Sequence, residues 1–384
     1  MTENLAFSVI VPTAGRPSTL ASAVKTVLCQ EGNDFEVLVS DNDRTQDTAR
    51  IVASIKDPRL RYVKTPCRFS MTEHWNFALS QARARYVMIL GDDDGLAPNA
   101  LQRARHIMEN RPDADIIYGP MAFFQWPTQA GPGHFTLVPA HASEGFVDLR
   151  VTLARVLYFG GARWEELPSV YRAFVKRTVL SKIASILNGA FTDTLNPDMF
   201  NGFAIACLGD VRAYRTSVPL AICGTSYDPA KKKMPRLRSS KDSQSELVHQ
   251  HLIDYEDLAL RAPLPEEFPR IFNAFAETIL VALERFKADD GANHRLNLSA
   301  HYAWLASWSR TGGVRDFWHF RDALRENGFS FPRFLVWYIA FRLRHMSFPL
   351  IARSRVRRKR LPTDISDIYQ AAMLLAATQA GDSN

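Results

Sequence analysis

The chain has 384 residues, 46% hydrophobic and 23% charged, which excludes a disordered or fibrous protein and leaves room for a sizeable core and two domains. A net charge of +7 permits a polyanionic partner: nucleic acid, a membrane surface or a phosphorylated substrate. Cys29, Cys67, Cys207 and Cys223 are scattered, with no CxxC pair and no histidine at zinc spacing, so a reducing compartment fits better than a disulfide framework.

The chain opens on MTENLAFSVIVPTAGR, an acid followed directly by a strand pattern; no secretory signal is visible, and a cytoplasmic location is expected. Residues 7–12 (FSVIVP) predict a buried strand, after which Leu20, Val24, Val27 and Leu28 recur at helical spacing. A second strand follows at 35–41 (FEVLVSD), then a short helix at 48–55, a third strand at 60–65 (LRYVKT) and a helix at 73–84. Residues 86–90 (YVMIL) read as a fully buried strand, and Leu101, Ala104, Ile107 and Met108 mark the next helix. The series closes with DIIYG at 115–119. Strands alternating with helices over short connections predict an α/β fold: a mostly parallel sheet with helices on both faces.

Residues 123–139, rich in aromatics, Pro and Gly, predict a loop or hairpin over the open edge of the sheet, and 148–220 is mixed. Beyond a basic stretch at 231–241 (KKKMPRLRSSK) the chain reads as helical, with Ile271, Phe272, Phe275, Ile279, Leu283 and Phe286 in one apolar stripe. The division expected is 1–225 for the sheet domain, 226–245 for a basic linker or lid, and 246–384 for a helical region.

After the strand at 86–90 stand Asp92, Asp93 and Asp94 in a row. An isolated acidic triplet is usually a solvated turn. At the carboxyl end of a parallel strand it faces the ligand crevice instead, where carboxylates can hold a hard divalent cation and, through it, substrate phosphates. A calcium loop of the EF-hand type is excluded, because the position eleven residues after Asp92 is Arg103 and not Glu.

Taken in order, VIVPTAGRP, VLVSDNDRTQDT and HWNFALSQARARYVMILGDDDGLAPNAL resemble the nucleotide-sugar half of a family 2 glycosyltransferase with the GT-A fold, over roughly residues 6–225. The resemblance implies a P-x-x-x-R turn beside the nucleoside, here Pro12, Thr13 and Arg16. It implies an Asp on the base after the second strand, here Asp41, with Ser40 where a further Asp is common. An ionised carboxylate suits that role because uracil N3–H and ribose hydroxyls are donors. Arg68 lies where a basic residue near the base or phosphates is implied. The triplet corresponds to the D-x-D element. Metal, Mn²⁺ or Mg²⁺, is assigned to Asp94 first, with Asp92, while Asp93 and Asp92 serve the ribose or outer shell. Gly91 stands where many relatives have Asp.

Inverting transfer also needs a base, which the resemblance places in FTDTLNPDMFNGFAIACLGD: Asp198, with Asp193 in reserve. The alternative for this stretch is that Asp193 or Asn196 simply caps a helix beginning near Pro197. A histidine late in the domain would complete a metal shell, but residues 219–228 (PLAICGTSYD) have none, so strict Mn²⁺ dependence is not implied.

Residues 331–360 contain no acid and many arginines around an aromatic-aliphatic core, and the eight-residue apolar run 334–341 is too short to cross a bilayer. Either this segment lies in the interface of an anionic membrane, or its core packs on the protein with the arginines solvated. The density of aromatics favours the membrane. The function implied is transfer of a sugar from a nucleoside-diphosphate donor, UDP-linked, to a glycan or lipid-linked acceptor in surface polysaccharide synthesis, peripheral to the inner face of the cell membrane. A nucleotidyltransferase would need a glycine-rich phosphate loop, and PTAGRP has one glycine. A non-catalytic basic module would leave the triplet without a purpose. Nucleic acid is not expected, because no helix-turn-helix, zinc or RNA-binding motif occurs.

Overall fold

The computed structural model describes residues 5–128, 131–137, 144–226, 264, 268, 270–287, 294–308, 314–355 and 365–381. Four strands form its centre: β1 (Phe7–Thr13), β2 (Phe35–Asp41), β3 (Leu60–Lys64) and β4 (Tyr86–Ile89). They pair in parallel in the order β3-β2-β1-β4. Side chains alternate across the sheet, so each strand feeds two cores. Phe7, Val9, Val11, Val37, Val39 and Met88 pack on one face, and Ile10, Leu38, Val87 and Ile89 on the other. Continuous apolar runs follow from burial on both faces. The crossovers are α1 (Pro17–Leu28), α2 (Asp47–Ser54) and α3 (Met71–Ser80). α3 begins on a capping box in which the Ser70 hydroxyl accepts the Glu73 N–H and the Glu73 carboxylate accepts the Ser70 N–H.

The direction of strand addition reverses between β1 and β4, so the crevice of the fold opens at their carboxyl ends. Chain order continues through β5 (Gly95–Leu96), α4 (Ala100–Asn110), β6 (Ile116–Tyr118), β7 (Ala122–Gln125), β8 (His134–Leu137), β9 (Gly145–Val147) and α5 (Leu149–Tyr158). After a 3-10 turn at Trp164–Glu166 come β10 (Phe174–Lys176), α6 (Arg177–Ile186), α7 (Pro197–Cys207), β11 (Ala213–Arg215) and β12 (Ala221–Thr225). The main sheet runs β3-β2-β1-β4-β10-β6-β11-β9, with β10 antiparallel to both neighbours and β9 antiparallel to β11. The α/β architecture is therefore the one expected, mostly parallel but with an antiparallel strand set beside β4. The expected loop or hairpin is the β7–β8 hairpin, in a second sheet ordered β5-β12-β7-β8.

The helical region comprises α8 (Arg270–Arg285), α9 (Leu298–Trp308), α10 (Val314–Glu326), α11 (Phe331–Arg355) and α12 (Ile368–Gly381). Its helices share the cores of the sheet domain. Ala276, Ile279, Ala282 and Phe286 pack with Phe200 and Phe203 of α7. Ile368, Ala371, Ala372 and Leu375 of α12 pack with Leu20, Val24 and Val27 of α1. A third cluster joins Phe272, Tyr302, Phe320, Phe334 and Phe341. Each buried Phe contributes on the order of 2–3 kcal/mol. The basic stretch 231–241 and, apart from Ser226, the linker or lid expected at 226–245 lie outside the described residues.

Candidate functional site

Three chain segments meet at the crevice. The first is the turn after β1. Thr13 is buried and donates its hydroxyl to Asp92 Oδ2 at 2.7 Å. Gly15 takes φ +72°, a left-handed conformation that favours glycine, and the chain turns there into α1. Arg16 then reaches back over the acids: Nη1 lies 3.0 Å from Asp92 Oδ1 and Nη2 lies 2.6 Å from Asp93 Oδ2. Its side chain is 41% exposed, against 6% and 13% for the two aspartates, so Arg16 covers the acid pair from the solvent side.

The second segment is the end of β12. The Ser226 hydroxyl and N–H donate to Asp93 Oδ2 at 2.7 and 3.2 Å, and Arg16 also contacts the Ser226 hydroxyl. The Gly224 N–H donates to Asp94 Oδ1 at 2.7 Å. A Cβ at Gly224 would overlap the Asp93 carbonyl oxygen, so only glycine lets β12 approach this closely.

The third segment precedes β10. The Tyr171 hydroxyl donates to Asp94 Oδ2 at 2.6 Å, and the Gly91 N–H donates to the same oxygen at 3.2 Å. Asp94 is fully buried, and both its oxygens are taken by protein donors. Asp94 thus anchors the turn in this structure, and Asp92 and Asp93 are the less buried carboxylates of the triplet. A side chain at Gly91 would press on Asp94 and the Tyr171 hydroxyl, both 3.0 Å from its Cβ position.

Burial pushes the Asp92 carboxyl up to about 6 against the pull of Arg16 and Thr13, and burial raises Asp94 as well. Such crowding disfavours charge unless a cation is supplied. Among the described residues no group of three or more His, Cys, Asp or Glu is placed to hold a metal. A two-carboxylate set does not make a closed protein cage. It fits an ion of the Mg²⁺ kind, which is commonly held by one or two carboxylates together with substrate phosphates.

The other expected residues divide. Pro12 sits in β1 ahead of Thr13, as placed. Asp41 is fully buried, its oxygens accepting from the Tyr62 hydroxyl at 2.7 Å and the Asp43 N–H at 2.9 Å. These bonds tie it to β3 and to the loop after β2. Half-buried Asp43 lies beside the turn, its Cγ 3.7 Å from the Cβ position of Gly15. Hydrogen bonds from Thr45 and nearby N–H groups, with the charge of Arg68, hold its carboxyl below the usual range. Arg68 itself is exposed. Ser40 is bonded to His74 Nε2 at 2.9 Å, and burial pushes the His74 imidazole down to about 4.

Asp198 lies in the first turn of α7, behind Pro197. Neither alternative cap is used: Asn196 Nδ2 donates to Thr278 Oγ1 at 3.1 Å, and no side-chain bond caps the helix. Asp193 Oδ1 accepts the Thr194 N–H at 2.7 Å in the preceding loop. Burial raises the Asp198 carboxyl, partly offset by the Met199 N–H and the charge of Arg172. Arg172 acts on both Asp94 and Asp198 and so ties the triplet to α7. Its backbone is left-handed, φ +67°. Its guanidinium lies 4.3 Å from the Tyr171 ring centroid, and Nη1 is sealed without a hydrogen-bond partner. Tyr171, Arg172, Gly224 and Ser226 were not singled out from sequence. Gly224 and Ser226 fall within residues 219–228, where a histidine was expected to complete a metal shell, but Tyr171 and Arg172 have no local spacing to mark them. A cavity of about 510 Å³ lined by Phe146, Arg150, Gly209 and Arg212 lies by β9, at an edge of the sheet, and shares no residue with this site.

Residues 8–179 match the family model described as Glycosyl transferase family 2. Over 97 residues the chain is 35% identical to GalNAc(5)-diNAcBac-PP-undecaprenol beta-1,3-glucosyltransferase of Campylobacter jejuni, covering 24% of this chain and 31% of that protein. Over 102 residues it is 28% identical to UDP-Glc:alpha-D-GlcNAc-diphosphoundecaprenol beta-1,3-glucosyltransferase WfaP of Escherichia coli, covering 27% and 41%. The matches thus span less than half the length of these relatives. Among solved structures, S. aureus TarS 1-349 in complex with UDP-GlcNAc aligns with a TM-score of 0.49 at 17% identity, covering 98% of this chain and 92% of that one.

Proposed function

We propose, from the match of residues 8–179 to the Glycosyl transferase family 2 model, an inverting glycosyltransferase that uses a UDP-linked sugar. One observation carries the reading: Thr13 and Arg16 from the turn after β1, and Ser226 from the end of β12, converge on Asp92 and Asp93 at the β1–β4 switch point. Two relatives bear names that specify undecaprenol-diphosphate-linked acceptors. They support a lipid-linked glycan as acceptor, in surface polysaccharide synthesis at the inner face of the cell membrane.

In this reading Asp92 and Asp93 hold Mn²⁺ or Mg²⁺. Bound there, the ion would supply positive charge to the leaving diphosphate. Arg16, now paired with the same acids, is placed to turn toward the phosphates, where its forked donors suit an anion. Asp43, with Arg68, takes the nucleoside contact first assigned to Asp41. Asp198 is the base: it accepts the proton of the acceptor hydroxyl while that oxygen bonds to the anomeric carbon. The bond from that carbon to the diphosphate breaks, and its electron pair leaves with the phosphate. A carboxyl raised by burial suits this role, since a base works best near the operating pH. Asp193, held in its loop by Thr194, stays in reserve.

The test is a thermal-shift panel of nucleotide sugars with and without Mn²⁺ or Mg²⁺. A ligand at a hundred times its Kd stabilises by about 2.7 kcal/mol, so the right donor should raise the Tm by several degrees only with metal. A panel in which no nucleoside-diphosphate sugar shifts the Tm would remove the reading.

A further inference from the structure

α11 has two apolar faces, and the body of the protein covers one of them. Phe334 and Phe341 are 1% and 4% exposed and pack into the third core cluster, with Trp337 and Tyr338 partly buried against it. On the opposite side Val336, Ile339 and Leu343 are 68%, 48% and 58% exposed. Spacings of three and four residues align them along one side of the helix, and exposed Ala340 falls in the same row. Tyr158 of α5, 61% exposed, stands beside the helix with its ring 5.3 Å from that of Trp337. Single exposed aliphatics are ordinary on a protein surface, whereas an aligned row of three is a feature that calls for a partner.

The charge around the row identifies that partner. Arg333 and Arg342 are exposed on the same helix, Arg342 donating in part to the Ser307 carbonyl. Over its whole length α11 carries Arg333, Arg342, Arg344, Arg353 and Arg355 and no Asp or Glu. No helix among the described residues is long and apolar enough to cross a membrane. An aliphatic row on a helix whose charged residues are all cations and which cannot span matches the plane of an anionic bilayer, with the side chains in the acyl boundary and the arginines at the headgroups.

We propose that α11 docks on an anionic lipid surface through Val336, Ile339 and Leu343, with Arg333 and Arg342 at the headgroups. The aromatics, whose density favoured a membrane in the sequence, do the opposite job: they fasten the helix to α9 and α5, so that docking orients the whole protein. The inference deepens the proposed function, resting on it only for the idea that the acceptor lies in the same lipid plane. Donor binding does not enter it.

The experiment is co-sedimentation of the full chain with phosphatidylcholine vesicles, with and without phosphatidylglycerol, alongside UDP binding and the melting temperature. Wild type should sediment with the anionic vesicles, remain free of the neutral ones, and be released in part by high salt. Val336→Asp/Ile339→Asp/Leu343→Asp should lose at least ten-fold in vesicle affinity. Arg333→Ala should lose roughly five-fold, the share of one arginine near an anionic surface. Both should keep the wild-type melting temperature and UDP affinity. Should the triple variant melt early, Leu343→Ser alone carries the same expectation in weaker form. Equal sedimentation of variants and wild type would overturn the proposal, as would a wild type indifferent to both vesicles. So would a row whose substitution changes the oligomeric state without touching vesicle binding, since that outcome identifies a protein partner.

Discussion

Replacing Asp94 with alanine separates the acid that anchors the turn from the acids that would hold a cation. Asp94 accepts from the Tyr171 hydroxyl, the Gly224 N–H and the Gly91 N–H, all at a fully buried carboxylate. Losing the acceptor leaves at least two sealed donors without partners, at about 1–3 kcal/mol each. Relief of one buried charge beside Asp93 returns part of this, so the net cost is about 3 kcal/mol, or a fall in Tm of roughly 4 °C for a chain of this length. Asp93→Ala differs. Its partners are Ser226 and the 41% exposed Arg16, and a partly solvated ion pair contributes at most about 1 kcal/mol, so its Tm should fall by only about 1 °C. The functional outcomes should be reversed in weight: Asp93→Ala abolishes metal-dependent UDP binding, while folded Asp94→Ala keeps a weakened form of it. Melting curves without ligand and calorimetric UDP titrations with and without Mn²⁺ read both quantities. An Asp94→Ala protein with native Tm and no metal-dependent binding would return the metal to Asp94 and refute the geometry argued above.

Asp198→Asn should leave UDP affinity unchanged and lower kcat by about 10²–10⁴-fold; an undiminished rate would move the base to Asp193 or elsewhere. His74 should shape acid stability. Burial holds its folded pKa at about 4, below the unfolded value of about 6.5, so the unfolded chain takes the proton first as pH falls. Its contribution is whole above about pH 6.5 and is lost toward pH 4, a change of about 3 kcal/mol. Denaturant titrations of His74→Gln across that window should therefore show a flatter pH dependence than wild type. Gly224→Ala should both lower the Tm and weaken metal-dependent UDP binding, because its Cβ pushes β12 off the Asp93 carbonyl.

What the sequence made legible is what local pattern encodes. β1, β2 and β4 are buried on both faces and appear as continuous apolar runs, and the acid triplet stands out because it directly follows one of them. β10 could not be read this way. Phe-Val-Lys is three residues with no period, and its antiparallel place between β4 and β6 is set by long-range pairing. The contacts that build the site have the same origin. Tyr171 reaches Asp94 and Ser226 reaches Asp93 across 77 and 133 residues of chain, and no spacing rule marks either. Asp41 and Asp94 drew their expected roles from type and position, and only the structure shows how deeply both are buried and which protein donors they accept from. In α11 composition showed that the segment is apolar and cationic, but only packing shows that Phe334 and Phe341 turn inward while Val336, Ile339 and Leu343 turn out.

The central claim is that a nucleoside diphosphate binds at the β1–β4 crevice through a cation on Asp92 and Asp93. Calorimetric titration of the full chain with UDP, in Mn²⁺ and again in excess chelator, tests it most directly. The account expects saturable one-to-one binding in Mn²⁺ that weakens at least ten-fold in chelator, and loss of that difference in Asp93→Asn. No UDP binding in either condition, or binding of equal strength in both that survives Asp93→Asn, would contradict it.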